Sequence, residues 1–244
     1  MLNNHLVKLT DQLVKRRGGG RSAARARLAR GSGRSPRRGP STQPDHSRDR
    51  VFAAAAAGFA AHGFAGTSVD RIAAAARLNK AMIYYHFRNK AELYREILQD
   101  MLGAVGARVR TVAASDLAPA DKVRAFIDAF ATEAEARPHF PPIWFREIAE
   151  GGLHLDGATL GEMTGVIRAL VAIIEEGVRA GVFRPINPLL LHAGIIGPVL
   201  LFFASASIRR RIDKSGAHGM AALTRDEVVG HVQRVTLGLL QGGI

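Results

Sequence analysis

From about residue 51 onward the apolar positions of this chain recur at helical spacing, and no stretch alternates apolar with polar side chains as a strand would. Val51, Phe52, Ala55 and Phe59 predict a first helix beginning near Ser47, with Gly63 as a left-handed stop. Thr67, followed by Asp70, predicts the cap of a short second helix whose Val69, Ile72, Ala73 and Ala76 share one face at i, i+3, i+4 and i+7. After a break at Arg77 and Leu78, Asn79 is a competent cap for a third short helix through His86. A fourth opens around Asn89 and continues beyond Leu98.

Further helices are predicted near residues 120–137, 141–150, 158–180, 188–210 and 225–240, so the expected fold class is all-α. In 158–180, Met163, Val166, Ile167, Leu170, Ile173, Ile174 and Val178 form a broad apolar stripe, closed by Gly181. The last helix opens on a capping box, Thr224 with Glu227. Its Val228, Val232, Val235 and Leu239 make a narrow stripe suited to pairing with another helix.

One segment admits two readings. Ile186 to Ile208 holds 23 residues without Asp, Glu, Lys or Arg, enough for a helix to cross a bilayer. His192, Ser205 and Ser207 lie inside it, and Asn187–Pro188 is an ordinary helix start. Both features favour a buried helix whose second apolar face is covered by a partner subunit. No membrane partner is expected on that reading. Gly194, Gly197, Ala204 and Ser205 would allow the close approach of a second copy.

Charge sharpens this picture less than its total suggests. The formal net charge is +13, but residues 1–40 hold 11 Lys or Arg against Asp11 alone, leaving +3 for residues 41–244. Residues 16–44 are rich in Arg, Gly, Ser and Pro with few large apolar side chains, so residues 1–44 are expected to be a disordered basic arm. Nonspecific attraction to phosphates, a solvated tail, or an upstream stretch outside the native protein all fit it. The basic residues near the N-terminus are not followed by the apolar run of a secretory signal. The absence of Cys excludes thiol chemistry and thiolate metal sites, and it fits a reducing cytoplasm.

Residues 67–87 carry the pattern that bears on function. Two short helices joined by a tight turn form a helix-turn-helix, which lays its second helix in the major groove of DNA. On a helical wheel Ile83 and Phe87 face the core, whereas Ala81, Tyr84 and Tyr85 face outward. Residues 66–90 carry five basic side chains and one acid, Asp70, a local surplus suited to phosphates.

This stretch resembles the tetracycline-repressor (TetR) family of regulators. The likeness runs through Gly63, Phe64, Thr67 and Ser68, then Ile72 and Ala73, then Ile83, Tyr84, Tyr85, His86 and Phe87, and finally Lys90 and Leu93. The resemblance implies an N-terminal three-helix DNA-binding unit, here residues 45–104, linked to a helical ligand-binding and dimerisation domain, residues 105–244. It also implies a homodimer on double-stranded operator DNA, released by a small-molecule effector. It places Thr67, Tyr84, Tyr85, His86 and Lys90 at the phosphate backbone, and Lys80, Ala81 and Tyr84 near base edges. Alternative roles are a cover over the hydrophobic unit for Tyr85, a helix-end cap for His86 and a solvated charge for Lys90. Where the family commonly has Gly in the turn, this chain has Arg77.

Phe126, Phe130, Trp144, Phe145, His154, Phe202 and Phe203 are the candidates for an apolar effector pocket with one polar handle, and plain core is their alternative role. No nucleophile elbow, phosphate loop or metal-binding motif is present, and no cofactor or catalysis is expected. Glu147 and Glu150 are expected on a solvated helix face rather than as an acid–base pair. The competing reading is a nonspecific DNA-binding architectural or membrane-associated protein that acts through the basic arm.

Overall fold

The computed structural model describes residues 44–216, 219 and 222–243, so the expected basic arm lies outside the described residues apart from Pro44. The described residues form ten α-helices and no strand, as the periodicity predicts.

Helix α1 (Pro44–Gly66) buries Val51, Ala55 and Phe59 completely. Gly63 breaks it at φ 71°, ψ 177°, a conformation that only glycine adopts cheaply, so the turn there is extended rather than left-handed helical. Phe64 is thereby folded back against Phe59 and Tyr94, with ring centroids 6.0 and 5.2 Å away.

The cap of α2 (Val69–Ala76) lies one residue later than expected. Ser68 accepts from the Arg71 N–H at 3.2 Å, while Thr67 is buried and its hydroxyl donates to the Gly63 carbonyl at 2.8 Å. Thr67 is drawn inward because its methyl packs where α1 exposes only Gly58.

Helix α2 ends in a Schellman arrangement. Leu78 N–H donates to Ala73 O at 3.0 Å and Arg77 N–H to Ala74 O at 3.1 Å, with Arg77 left-handed at φ 53°, ψ 44°. Arg77 is the non-glycine residue with positive φ among those described. The Arg50 guanidinium donates to the Ala76 and Arg77 carbonyls, a cation against the negative end of the helix. These bonds use the backbone of Arg77 and survive loss of its side chain. Arg77→Gly is therefore expected to raise stability by about 1 kcal/mol, some 2–4 °C in melting temperature. A melt that is unchanged or lower in a folded variant would refute this.

Helix α3 (Lys80–His86) is capped by Asn79, and α4 (Lys90–Ala113) by Asn89, whose Oδ1 accepts from Glu92 N–H at 2.8 Å. Helix α4 is continuous across residue 104. It leaves the three-helix unit and packs along α7 and α5 with Leu93, Ile97, Leu98, Met101, Leu102, Val105 and Val109 buried.

The remaining helices are α5 (Pro119–Ala136), α6 (Phe140–Ala149), α7 (Gly157–Arg179), α8 (Pro188–Ala204), α9 (Ala206–Lys214) and α10 (Arg225–Gln241). Helix α7 is long and apolar enough to cross a membrane, yet its Val166, Leu170, Ile173 and Ile174 are buried in the bundle.

The expected helix over 188–210 is two helices, bent by 56° at Ser205. The Phe202 carbonyl there accepts from the Ser205 hydroxyl and the Arg209 guanidinium, which caps the end of α8. Helix α8 has two apolar faces. Leu191, Ile195, Ile196, Val199 and Leu200 are buried in its own bundle. Leu189, Leu190, Ala193, Gly194, Gly197, Pro198 and Leu201 face outward.

In α10 the capping box of Thr224 and Glu227 is present. The narrow stripe expected there splits, because the bundle takes Val229, Val232, Thr236 and Leu240 and leaves Val235 and Leu239 outside.

His192 on α8 packs edge-on against Phe130, and burial pushes its imidazole below its ordinary value. The folded chain therefore disfavours the proton that the unfolded chain takes up below about pH 6.5, so stability is lost as pH falls through that value. Burial of His139 acts in the same direction. Between pH 7.5 and 5.5 the melting temperature is expected to fall, and less steeply in His192→Gln. Equal slopes in the two proteins would exclude His192 as a source.

Candidate nucleic-acid interface

Helix α3 is a seven-residue rod with one anchoring face, on which Ile83 is buried, followed by the equally buried Phe87. Its opposite face carries Ala81, Tyr84 and Tyr85, and the two tyrosines are 54% and 72% exposed. Two large rings are thus left on the solvent side of a seven-residue helix.

At the start of α3, Lys80 Nζ lies 2.6 Å from Asp70 Oδ1, with both groups exposed. That hydrogen bond, and then the carboxylate's charge, raise the lysine above its ordinary value and keep it cationic. Arg71, Arg77 and Arg88 are exposed around the same face.

The other expected contact residues are engaged within the protein. Thr67 is buried, as described above. His86 Nε2 lies 2.6 Å from Ser47 Oγ, tying the end of α3 to the first turns of α1. Lys90 Nζ donates to Phe64 O at 2.9 Å and sits 4.1 Å from the centre of the Phe64 ring.

A second constellation joins this unit to the bundle. Glu147 is fully buried rather than solvated, because it follows Phe140 and Ile143 on the inward face of α6; Glu150 alone faces solvent. Tyr94 O–H donates to Glu147 Oε1 at 2.7 Å, and His154 Nδ1 lies 2.9 Å from the same oxygen. Burial, then the Glu147 bond, push the tyrosine hydroxyl far above its ordinary value, so it stays a donor. Arg146 donates to Ala61 O at 3.1 Å and Ala60 O at 3.4 Å, clasping the end of α1. The i, i+3, i+7 spacing of Phe140, Ile143 and Glu147 was a signal of this burial in the sequence. The meeting with Tyr94, 53 residues away, had none.

The family model for bacterial regulatory proteins of the tetR family matches residues 51–97, and that for the tetracyclin repressor-like C-terminal domain matches residues 119–216. The HTH-type transcriptional repressor NicS of Pseudomonas putida is 30% identical over 174 residues, which cover 68% of this chain and 78% of NicS. The chain belongs to the TetR family. Another family member, the HTH-type transcriptional repressor SCO4008 of Streptomyces coelicolor, is 36% identical over 109 residues; that match spans 45% of this chain and about half, 53%, of SCO4008. The solved structure of the ketosteroid transcriptional regulator KstR2 of Mycobacterium tuberculosis shares the fold, with a TM-score of 0.64 at 23% identity over 80% of this chain and 94% of that one.

Within this TetR-family chain the seven candidate pocket residues separate into groups. Phe126 and Phe130 pair inside α5 at 5.5 Å, with His192 beyond. Phe202 and Phe203 pair at 5.1 Å at the end of α8, beneath Arg209. Trp144 and Phe145 are half-buried on α6. His154 faces Phe64 and Tyr94, at 4.4 and 5.0 Å, instead of the bundle interior. Two cavities open elsewhere. One of about 860 Å³ lies between α1 and α2, and a polar one of about 1020 Å³ lies around Arg48, Arg95 and Asp156.

Proposed function

We propose that this chain is a non-enzymatic transcriptional repressor that binds a two-fold DNA operator as a homodimer and is released by a small-molecule effector held in the C-terminal domain. The observation that carries this reading is α3 itself: Ile83 and Phe87 anchor it, while Tyr84, Tyr85, Ala81 and Lys80 face outward among exposed arginines. Lys80, Ala81 and Tyr84 would read base edges, with Lys80 exchanging Asp70 for DNA, and Tyr85 would meet phosphates. Thr67, His86 and Lys90, engaged as they are, hold the turn and the start of α4 in register with α1.

Helix α4 continues from this unit into the bundle, and Arg146, Glu147 and His154 tie α6 and its following loop to α1 and α4. A ligand that shifts α6 or α7 therefore tilts the two recognition helices of a dimer relative to each other, coupling effector affinity to operator affinity. The DNA contacts need half-sites one helical turn apart, about 34–36 Å.

Footprinting of the purified protein on the DNA flanking its own gene is expected to protect a palindrome. Tyr84→Ala is expected to weaken that binding about tenfold or more while the fold is kept. Retention without a protected palindrome would favour nonspecific binding through the basic arm.

A further inference from the structure

Helix α6 ends at Ala149, and the chain reverses through Gly151 and Gly152, both at positive φ (71° and 74°). The turn is closed by Gly152 N–H donating to Glu147 O at 2.7 Å, and it returns His154 beneath the last turn of the helix. Three metal-binding side chains then converge. Glu147 on α6, Glu150 just past its end and His154 from the loop each offer one donor atom, all within 4.8 Å of one another. His154 Nδ1 stands 2.9 Å from a Glu147 oxygen and 3.8 Å from a Glu150 oxygen. Bonds of about 2.0–2.2 Å to one ion place donor atoms about 3.4 Å apart in tetrahedral geometry, between those two separations.

The surroundings of Glu147 are compatible with a cation at this point, because its partners are Tyr94 and His154 and none of them is a lysine or arginine. The Glu147 carboxylate is fully buried, and among the described residues no lysine or arginine is paired with it. Arg146, adjacent in sequence, is turned away to the Ala60 and Ala61 carbonyls. A carboxylate inside the protein is costly unless a cation or a full set of donors compensates it. The Tyr94 hydroxyl donates to one Glu147 oxygen, which His154 Nδ1 also meets at 2.9 Å, and the His154 backbone N–H donates to the other at 3.3 Å; together they fix the carboxylate's orientation, as outer partners of a metal ligand do. Exposure is graded from buried Glu147 through mostly covered His154 to half-exposed Glu150, which opens a path from solvent.

We propose that Glu147, Glu150 and His154 form a binding site for one divalent transition-metal ion per subunit, of the Zn²⁺ or Co²⁺ class. One imidazole nitrogen with two carboxylate oxygens suits these ions, whereas Ca²⁺ asks for six to eight oxygens and Mg²⁺ for near-octahedral oxygen. Three protein donors leave a position toward Glu150 for water or an exogenous ligand.

The site also has a mechanical outlet. The His154 ring lies 4.4 Å from the Phe64 ring, and the carbonyl and ring of Phe64 hold Lys90 at the head of α4. Drawing His154 onto a metal shifts its contact with Phe64, so the ion acts on the DNA-binding unit. This regulatory clause rests on the operator-binding reading; the site itself does not.

The test uses the full-length, tag-free protein stripped with EDTA and titrated with Co²⁺, followed by visible absorption, and with Zn²⁺, followed by calorimetry. One ion per subunit is expected, with Glu150→Gln and His154→Gln each weakening affinity at least about tenfold. Glu150→Gln alters only an exposed carboxylate, so its metal-free circular dichroism and melt should match the parent. Absence of saturable uptake, or uptake unchanged in both variants, would overturn the site. Operator retention is then measured with and without Zn²⁺. A change of tenfold or more in the parent, absent in Glu150→Gln, supports the coupling, and unchanged retention overturns it while the site stands. Loss of the footprint with Co²⁺ uptake intact would count against the operator reading alone.

Discussion

Gly177→Ala is expected to lower stability by about 3 kcal/mol and the melting temperature by roughly 6–12 °C. Gly177 lies near the end of α7, where the chain turns at Gly181 (φ 71°) and sends Phe183 back over the helix. The N–H groups of Val182 and Phe183 both donate to Gly177 O, at 3.0 and 3.1 Å, so the ring is held above this one residue. A Cβ at position 177 would sit well inside van der Waals contact of three Phe183 ring carbons. The ring is buried, so moving it aside disturbs a packed interior. Thermal melts by circular dichroism read the effect. Adding Phe183→Leu should recover part of the loss, because the two substitutions share one contact. A single variant that melts within about 2 °C of the parent would show that the ring can move aside.

The second large effect concerns association. Leu190→Glu with Leu201→Glu is expected to convert a dimer to a monomer in sedimentation and to weaken operator binding at least about 100-fold, since two half-sites then lose their linkage. Leu190 and Leu201 are 72% and 57% exposed, on a face whose Ala193, Gly194, Gly197 and Pro198 permit close approach. Helix α10 packs beside α8 and adds the outward Val235 and Leu239. A two-fold axis across this face would set it against its own copy, as the proposed homodimer requires. Neither leucine belongs to the buried face of α8, so circular dichroism should be unchanged. A double variant that remains dimeric would move the pairing face elsewhere.

Much of the candidate interface was legible in the sequence because it is built from local rules. Asn79 and Asn89 cap α3 and α4 through bonds to residues three positions on, and the outward direction of Tyr84 and Tyr85 follows from the pitch of the helix. Arg77 was readable only through the resemblance, which commonly sets Gly where this turn takes its positive φ. Thr67 was misread because Thr67 and Ser68 are equally good caps in isolation. The choice between them is made by Gly58 on the neighbouring helix, which leaves room for only one to turn inward. The family resemblance offers His86 and Lys90 to DNA, whereas in the folded chain Ser47 and Phe64, remote in sequence, engage them.

By itself, then, the sequence determined where most of the helices lie, the Asn79 and Asn89 caps and the outward face of α3, because each depends on partners within about one turn. Only the tertiary structure decided which half of α8 is buried, that Ser205 bends the apolar run, that Gly177 lies under Phe183, and that Glu147, Tyr94 and His154 share one buried site. Those outcomes depend on contacts between residues far apart in the chain. Periodicity shows that a side chain faces inward, and packing alone selects what it meets there.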